Sequence, residues 1–321
     1  MDFEYDGGVR LSGSILWLDA TRHDVLSFVS SARMDDAWRH GRCIATDRTR
    51  ALLRVRHRQF QALVSTYGQR MSLGPLALTL IPAGFMPGSA QVVIEADRGT
   101  ALYASNVCLE PHGLAEPFQV AGADVLVLKA AYGRPSFVFP PRAEALARVV
   151  ERARETIAAG RTPVFLTSPI GKAQEAVRAL AQAGLDVAVH KSIAGFNRAY
   201  CQLGFDTGRS TTFRGRPPAG GALVFPDRER VSQAIRKLKN ARLFWLSGRA
   251  VVPDVLARMR VDEGIPLAGH LDHPSLMRFV ERTRAKRVYA VGVWAGEFAQ
   301  DLRGAGVEAH ALHGETQLTL F

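Results

Sequence analysis

The sequence predicts an α/β fold with a strand-rich first part, an inserted stretch of alternating strands and helices, and a return to the first part. Three features carry that expectation. Short apolar or alternating runs dominate the first third, a strand–helix alternation begins after Pro140-Pro141, and helix–strand–helix patterning resumes near residue 274. The runs at 14–18, 76–81 and 91–95 are bounded by glycine, proline and aspartate, the usual punctuation of strands. The run at 124–128 is almost continuously apolar, as suits a strand buried on both faces.

From 142 to 159 apolar residues recur at helical spacing, and Gly160 follows as a C-terminal cap. A strand at 163–167, a helix at 172–183, a strand at 185–189 and a helix around 192–203 come next. A Gly/Pro-rich loop at 215–221 leads into a strand at 221–225, and the strand at 242–246 closes the unit. Such alternation implies a small parallel sheet covered by helices. Beyond it, 274–285 reads as a helix, 287–291 as a strand and 295–304 as a helix ending at Gly304, with the last residues as a tail.

The composition is that of a globular chain with an ample core: 321 residues, 47% apolar and 22% charged. The formal net charge is +11, most of it from arginine, whose guanidinium matches phosphate oxygens bidentately. The excess fits a nucleic-acid partner or an ordinary solvated surface, and composition alone leaves both open. The start, Met1-Asp2-Phe3-Glu4-Tyr5-Asp6, has no basic n-region, so a secretory signal is not expected. No apolar run nears the roughly 18 residues of a membrane span. Cys43, Cys108 and Cys201 share no metal-ligand spacing and cannot all pair, as expected of thiols in a reducing cytoplasm.

Several short stretches between about Leu16 and Leu312 carry a resemblance. Phe28-Val29-Ser30 ends a strand and leads into Ser31-Ala32-Arg33-Met34-Asp35-Asp36. Pro82-Ala83-Gly84-Phe85-Met86-Pro87-Gly88-Ser89-Ala90-Gln91 is a glycine-rich turn into a strand. There follow Ala104-Ser105-Asn106, Leu128-Lys129-Ala130-Ala131-Tyr132-Gly133, Gly171-Lys172-Ala173-Gln174-Glu175, Ala268-Gly269-His270-Leu271-Asp272 and Val291-Gly292-Val293. In this order the set resembles the β-CASP branch of metallo-β-lactamase-fold nucleases, and within it the small bacterial exonucleases associated with ATP-dependent DNA ligases. The resemblance implies a metallo-β-lactamase αββα sandwich formed by 1–135 and 251–312. It also implies an inserted β-CASP α/β domain at 136–250 and a tail at 313–321.

The metal motifs of that family are degenerate here. Its H-x-H-x-D-H reads Ser31 to Asp36, so three histidine positions are lost and only Asp35 matches. Its next ligand histidine is Phe85, its bridging aspartate Asn106, its supporting acid Lys129 and its last histidine Gly292. His270 is the one family histidine retained. Two-metal hydrolysis needs imidazoles and carboxylates to hold ions that generate hydroxide and clamp the phosphate. With five ligand histidines and the bridging aspartate replaced, the resemblance implies no catalytic residue, no metal and no cofactor. Lys172 is not a Walker lysine, because the first glycine of that motif would fall at Leu166 and Ala173 replaces its Ser/Thr.

Two readings of the altered site stay open. Arg33 and Lys129 either neutralise Asp35 and Asp36 in an internal ion-pair cluster, or replace the metals electrostatically so that a phosphate docks without being cut. Arg54, Arg56 and Arg58, at the end of a basic run that begins at Arg42, and Lys172 are the other candidate phosphate contacts. The terminal Gln317-Leu318-Thr319-Leu320-Phe321 resembles the Q-L-x-L-F peptide by which bacterial repair proteins bind the sliding clamp. Gln317 would anchor it by hydrogen bonds, and Leu318, Leu320 and Phe321 would supply its apolar side.

The expectation is a cytoplasmic, catalytically inactive β-CASP nuclease homologue that acts as a DNA-binding accessory or scaffold in repair or replication. Its expected partners are DNA, the sliding clamp, and a DNA ligase, helicase, polymerase or intact exonuclease paralogue, with no membrane. The alternative is a residual metal-dependent exonuclease or phosphoesterase, with a relocated site around Asp35, Asp36, Asn106, His270 and Asp272.

Overall fold

The computed structural model describes residues 1–22, 25–34 and 41–312. Asp35, Asp36 and the terminal peptide of Gln317, Leu318, Leu320 and Phe321 lie outside them. The chain forms two compact units: the first holds residues 1–111, 115–137 and those from 270 onward, and the second holds 112–114 and 138–269.

The first unit opens with a sheet of short strands, β1 (Phe3–Tyr5), β2 (Val9–Leu11), β3 (Leu16–Leu18), β4 (Leu26–Phe28) and β5 (Arg42–Ala45). Helix α1 (Asp47–Arg54) precedes its last strand, β6 (Leu63–Val64). The hydroxyl of Thr46 caps α1 by accepting from the Thr49 amide at 3.1 Å, and Asp47 and Arg54 suit the two ends of the helix dipole. A second sheet starts as a meander of β7 (Arg70–Leu73), β8 (Leu76–Pro82), β9 (Ala90–Ala96) and β10 (Gly99–Ala104), and β11 (Val125–Lys129) then pairs with β10 in parallel.

The second unit is a six-stranded, all-parallel sheet with helices on both faces. Its elements are α2 (Arg142–Ala158), β12 (Thr162–Thr167), α3 (Lys172–Gln182), β13 (Val187–Val189), α4 (Lys191–Gln202), β14 (Thr211–Thr212) and β15 (Ala222–Pro226). They continue with α5 (Gln233–Arg236), β16 (Ala241–Leu246), α6 (Pro253–Met259) and β17 (Glu263–Ile265), and the strand order is β14-β13-β15-β12-β16-β17. Val149, Val177, Leu180 and Ile193 cover one face, against Phe165, Val224 and Phe244. Ile235 and Leu256 cover the other, against Val164, Leu166 and Trp245. Burial on both sides is why these strands read as unbroken apolar runs.

The chain then returns through α7 (His273–Thr283), β18 (Arg287–Val291), α8 (Ala295–Gly304) and β19 (Glu308–Leu312). These strands complete a seven-stranded sheet, β19-β18-β11-β10-β9-β8-β7, whose first four strands are parallel. The two sheets of the first unit pack face to face through Leu16, Leu18, Phe28 and Ile44 on one side and Leu78, Val92, Ala101 and Val127 on the other. Helices α7 and α8 cover the far face, where Phe279, Phe298 and Leu302 meet Leu102, Leu126 and Val288. The protein is therefore a mixed α/β structure of several sheets. Among the described residues no helix is long and apolar enough to cross a membrane.

The structure differs from the sequence expectation in three respects. Residues 308–312, for which the sequence pattern gives no element, form the edge strand β19, whose alternation of polar Glu308 and His310 with Ala309 and Ala311 carries little apolar signal. Strands β1, β2 and β4 to β6 span only two to four residues each, too few for a periodicity to register. The second unit runs to Gly269 rather than 250, because β17 pairs in parallel with β16 and holds the intervening helix against that sheet.

Candidate functional site

The site lies at the C-terminal ends of parallel strands in the first unit, the usual ligand-bearing edge of such sheets. Asn106 follows β10, Lys129 ends β11 and Gly292 follows β18, while β3 and β4 deliver Asp19 and the Ser30-Ser31 pair. Hydrogen bonds join the two sets. The amide nitrogen of Asn106 donates to the hydroxyl of Ser31 at 3.1 Å, and the Ala90 backbone amide donates to the Ser30 carbonyl at 2.8 Å.

Asp19 is the hub. Its carboxylate accepts from the Ser30 amide at 2.7 Å, the Ser30 hydroxyl at 2.6 Å and the Tyr103 hydroxyl at 3.0 Å. Its backbone sits in the left-handed region at φ 49°, which aspartate tolerates better than most residues. Burial holds the Lys129 ammonium below the ordinary lysine value, the Asp19 carboxylate works against that shift, and the positive charge of Arg33 adds to it. Burial and the Asp19 carboxylate together push the Tyr103 phenol well above its usual range. The acid that acts on Lys129 among the described residues is thus Asp19, whereas the sequence directed attention to Asp35 and Asp36. A single acid closing an apolar strand, Leu16-Trp17-Leu18, was the only signal available, and it reads equally as a strand terminator.

The turn between β8 and β9 is pinned by side-chain hydrogen bonds. The Ser89 hydroxyl accepts from the amides of Phe85 and Met86 at 3.0 and 3.1 Å, and the Gly88 carbonyl accepts from Thr46 and Thr49. Phe85 is only 4% exposed and stacks on the His270 ring, with centroids 5.6 Å apart and planes at 22°. The Asp272 carboxylate accepts from the Ser275 amide at 3.0 Å and caps α7. Gly292 has φ 111°, a backbone state that side-chain-bearing residues rarely adopt.

These residues do not fit a metal pair. Phe85, Asn106, Lys129 and Gly292 offer no imidazole or carboxylate, and no group of three His, Cys, Asp or Glu is poised to hold an ion among the described residues.

The other basic positions are dispersed. Arg54 donates to the Phe60 carbonyl and to Gln61, both at 2.9 Å, while Arg56 and Arg58 are exposed. Lys172, expected to meet phosphate, is instead turned inward in the second unit. It is 8% exposed, and its ammonium donates to the Leu246 carbonyl at 2.8 Å. Beside it, Arg142 and Glu175 form a largely buried ion pair at 2.5 Å.

No family profile matches the chain. Over 99% of its length it is 33% identical to a "Probable DNA ligase" of Opitutus terrae, and that alignment spans 32% of the relative. Over 36% of its length it is 24% identical to "RNase aCSPSF2" of Saccharolobus solfataricus, spanning 24% of that protein. The chain thus spans a third or less of the length of these relatives. A solved structure, a protein of unknown function from Enterococcus faecalis, shares the fold with a TM-score of 0.56 at 11% identity, covering 83% of this chain and 74% of the other.

Proposed function

We propose that this chain is a catalytically inactive homologue of metallo-β-lactamase-fold β-CASP nucleases that binds DNA as an accessory or scaffold in repair or replication. The β-CASP insertion, expected at 136–250, would correspond to the second compact unit. The observation that carries the reading is the charge cluster at the strand ends. Where the resembling enzymes hold two cations, the buried Lys129 ammonium feels both the Asp19 carboxylate and the positive charge of Arg33. Lys129 is held there by strand geometry, so it can meet a phosphate without the freedom of a surface lysine. The similarity to a ligase and to an RNase supports nucleic acid as the ligand class. A ligase-linked role is further supported because one relative carries an equivalent of nearly this whole chain within a longer polypeptide bearing the name DNA ligase.

The test pairs metal analysis of the purified protein with a nuclease assay in Mg²⁺, Mn²⁺ and Zn²⁺ and with DNA binding across a salt series. The expected result is no stoichiometric metal, no turnover, and binding that weakens as salt rises. Stoichiometric metal with turnover abolished by Asp35→Ala would replace this reading with that of a residual nuclease. Recruitment by the sliding clamp through Gln317, Leu318, Leu320 and Phe321 is a separate part of the proposal. Equal clamp binding with and without residues 317–321 removes it.

A further inference from the structure

On the second unit, three cavities of about 550, 810 and 570 Å³ follow one another. The first two share Gly208, Arg209 and Ser210, and the second and third meet at Pro218, so they form one groove. It starts beside α4, passes the edge strand β14 and the start of β13, and ends where β12 and β15 begin. Its charge is one-sided. Arg198 stands at one end, Arg209 serves the first two cavities, and Arg161 and Arg216 line the third. All four are exposed, and Asp186 is the one acid among the described lining residues. Elsewhere in this unit arginines are taken up by acids: Arg148 and Arg152 meet Glu263 at 2.7 and 2.9 Å. Among the described residues Arg198, Arg209 and Arg216 meet no carboxylate, and Arg161 donates to the Ala241 carbonyl at 2.9 Å.

The segment between α4 and β15, which carries Arg209 and Arg216, is held against the unit. Asn197, 6% exposed, donates to the Ser210 hydroxyl at 3.0 Å and accepts from Gln174 at 3.0 Å. The Asp206 carboxylate accepts from the Gly208 amide at 2.8 Å. A Cβ at Gly208, where φ is 76°, would come within 2.8 Å of Ala181, and one at Gly221 within 2.4 Å of the Asp186 carbonyl. The segment therefore presses on α3 and on the start of β13, and its arginines stand on a fixed wall. Cations spread along a groove suit a chain of phosphates, whereas a small anion needs donors that converge on one point. No aromatic side chain is among the described lining residues, so the grip is on the backbone and not on stacked bases.

We propose that this groove is a track for the phosphate backbone of a DNA strand, held by Arg198, Arg209, Arg216 and Arg161. This rests on the DNA-binding reading above and adds a seat on the second unit, beside the one at Lys129 on the first.

The experiment follows a fluorescent DNA oligonucleotide by anisotropy across a salt series with the full chain. Arg198→Ala, Arg209→Ala and Arg216→Ala should each weaken binding by about two- to fivefold, the scale of an exposed ion pair. Each should also flatten the log–log salt dependence by about 0.7, while Arg209→Lys keeps most of it. Arg258→Ala removes the same charge from an exposed site on α6 outside the groove and should do neither. An equal loss in Arg258→Ala overturns the groove, because binding would then follow net charge alone. Unchanged binding in the triple arginine variant, with loss in Lys129→Ala, overturns the groove and leaves DNA binding standing. Competition by inorganic pyrophosphate as strong as by unlabelled DNA of equal phosphate content overturns the track in favour of a small-anion site. Tighter binding of RNA than of DNA of matching sequence overturns DNA as the source of the phosphates. Failure of the unaltered chain to bind single-stranded or duplex DNA overturns the DNA-binding reading itself.

Discussion

The hydroxyl of Tyr103 donates to the carboxylate of Asp19 at 3.0 Å, tying the strand β10 of one sheet to the end of β3 in the other. Because Asp19 also accepts from both donors of Ser30, one side chain satisfies three groups and offsets the charge of Lys129. Asp19→Ala should therefore lower stability by about 2–4 kcal/mol, as expected for removing a charged acceptor from such a cluster. Urea unfolding measures it. A variant indistinguishable from the parent chain would mean that Asp19 is not the hub.

Lys129 and Cys43 act on stability in opposite senses at alkaline pH. The folded Lys129 holds its proton less tightly than the unfolded one, so the unfolded chain binds more protons between the lowered value and the ordinary lysine value. Stability should rise with pH in that interval, and Lys129→Met should lose the rise. Cys43 acts in the opposite sense. Burial pushes its thiol up from 9.0 to about 12, so its contribution is complete below 9.0 and is lost as pH climbs toward 12. Cys43→Ala should remove the thiol's share of that alkaline fall.

Thiol accessibility gives an independent check on the core. Cys43 and Cys108 are buried and Cys201 is exposed. Alkylation of the native protein should modify Cys201 alone at early times, with the other two reacting only in denaturant. Early modification of Cys43 would contradict its burial on β5.

In the second unit, Glu175 accepts from Arg142 at 2.5 Å, and a second arm of Arg142 donates to the Ala268 carbonyl at 2.9 Å. With these side chains 4% and 13% exposed, Glu175→Gln leaves a guanidinium without its countercharge and should cost about 3 kcal/mol in thermal or urea unfolding. Replacing both residues by apolar ones should cost less than the single change.

At Gly292 the expected outcome concerns metal as well as stability. Gly292→His installs an imidazole where the resembling nucleases carry one. There is room for its Cβ, since the nearest atoms lie 3.7 Å away, but the φ of 111° strains any side-chain-bearing residue. A loss of about 2 kcal/mol is expected with no gain of zinc by calorimetric titration. Zinc binding by this variant would mean that the remaining cluster still forms a ligand set.

Much of the second unit is legible in the sequence because each of its major strands is buried on both faces and each major helix buries one stripe. Helix α2, ended by Gly160, and the apolar strand β15 follow from pattern alone. The small strands of the first sheet do not, because three residues such as Leu26–Phe28 are held by pairing with neighbours distant in sequence. The site divides in the same way. Phe85, Asn106, Lys129 and Gly292 are found as departures from a motif. Asp19 stands outside every motif, and its importance comes from the donors that Ser30 and Tyr103 bring to it. Nothing in the pattern around Lys172 hints at the Leu246 carbonyl to which its ammonium donates.

The conformation of Gly292 has a historical consequence. If an ancestor carried a histidine at that point, the chain has since settled into a turn that admits almost nothing but glycine. A return by single substitutions would have to pass through a strained protein before any ligand set was complete. The turn would then work as a ratchet, a backbone state that single substitutions at Gly292 can leave only through strain.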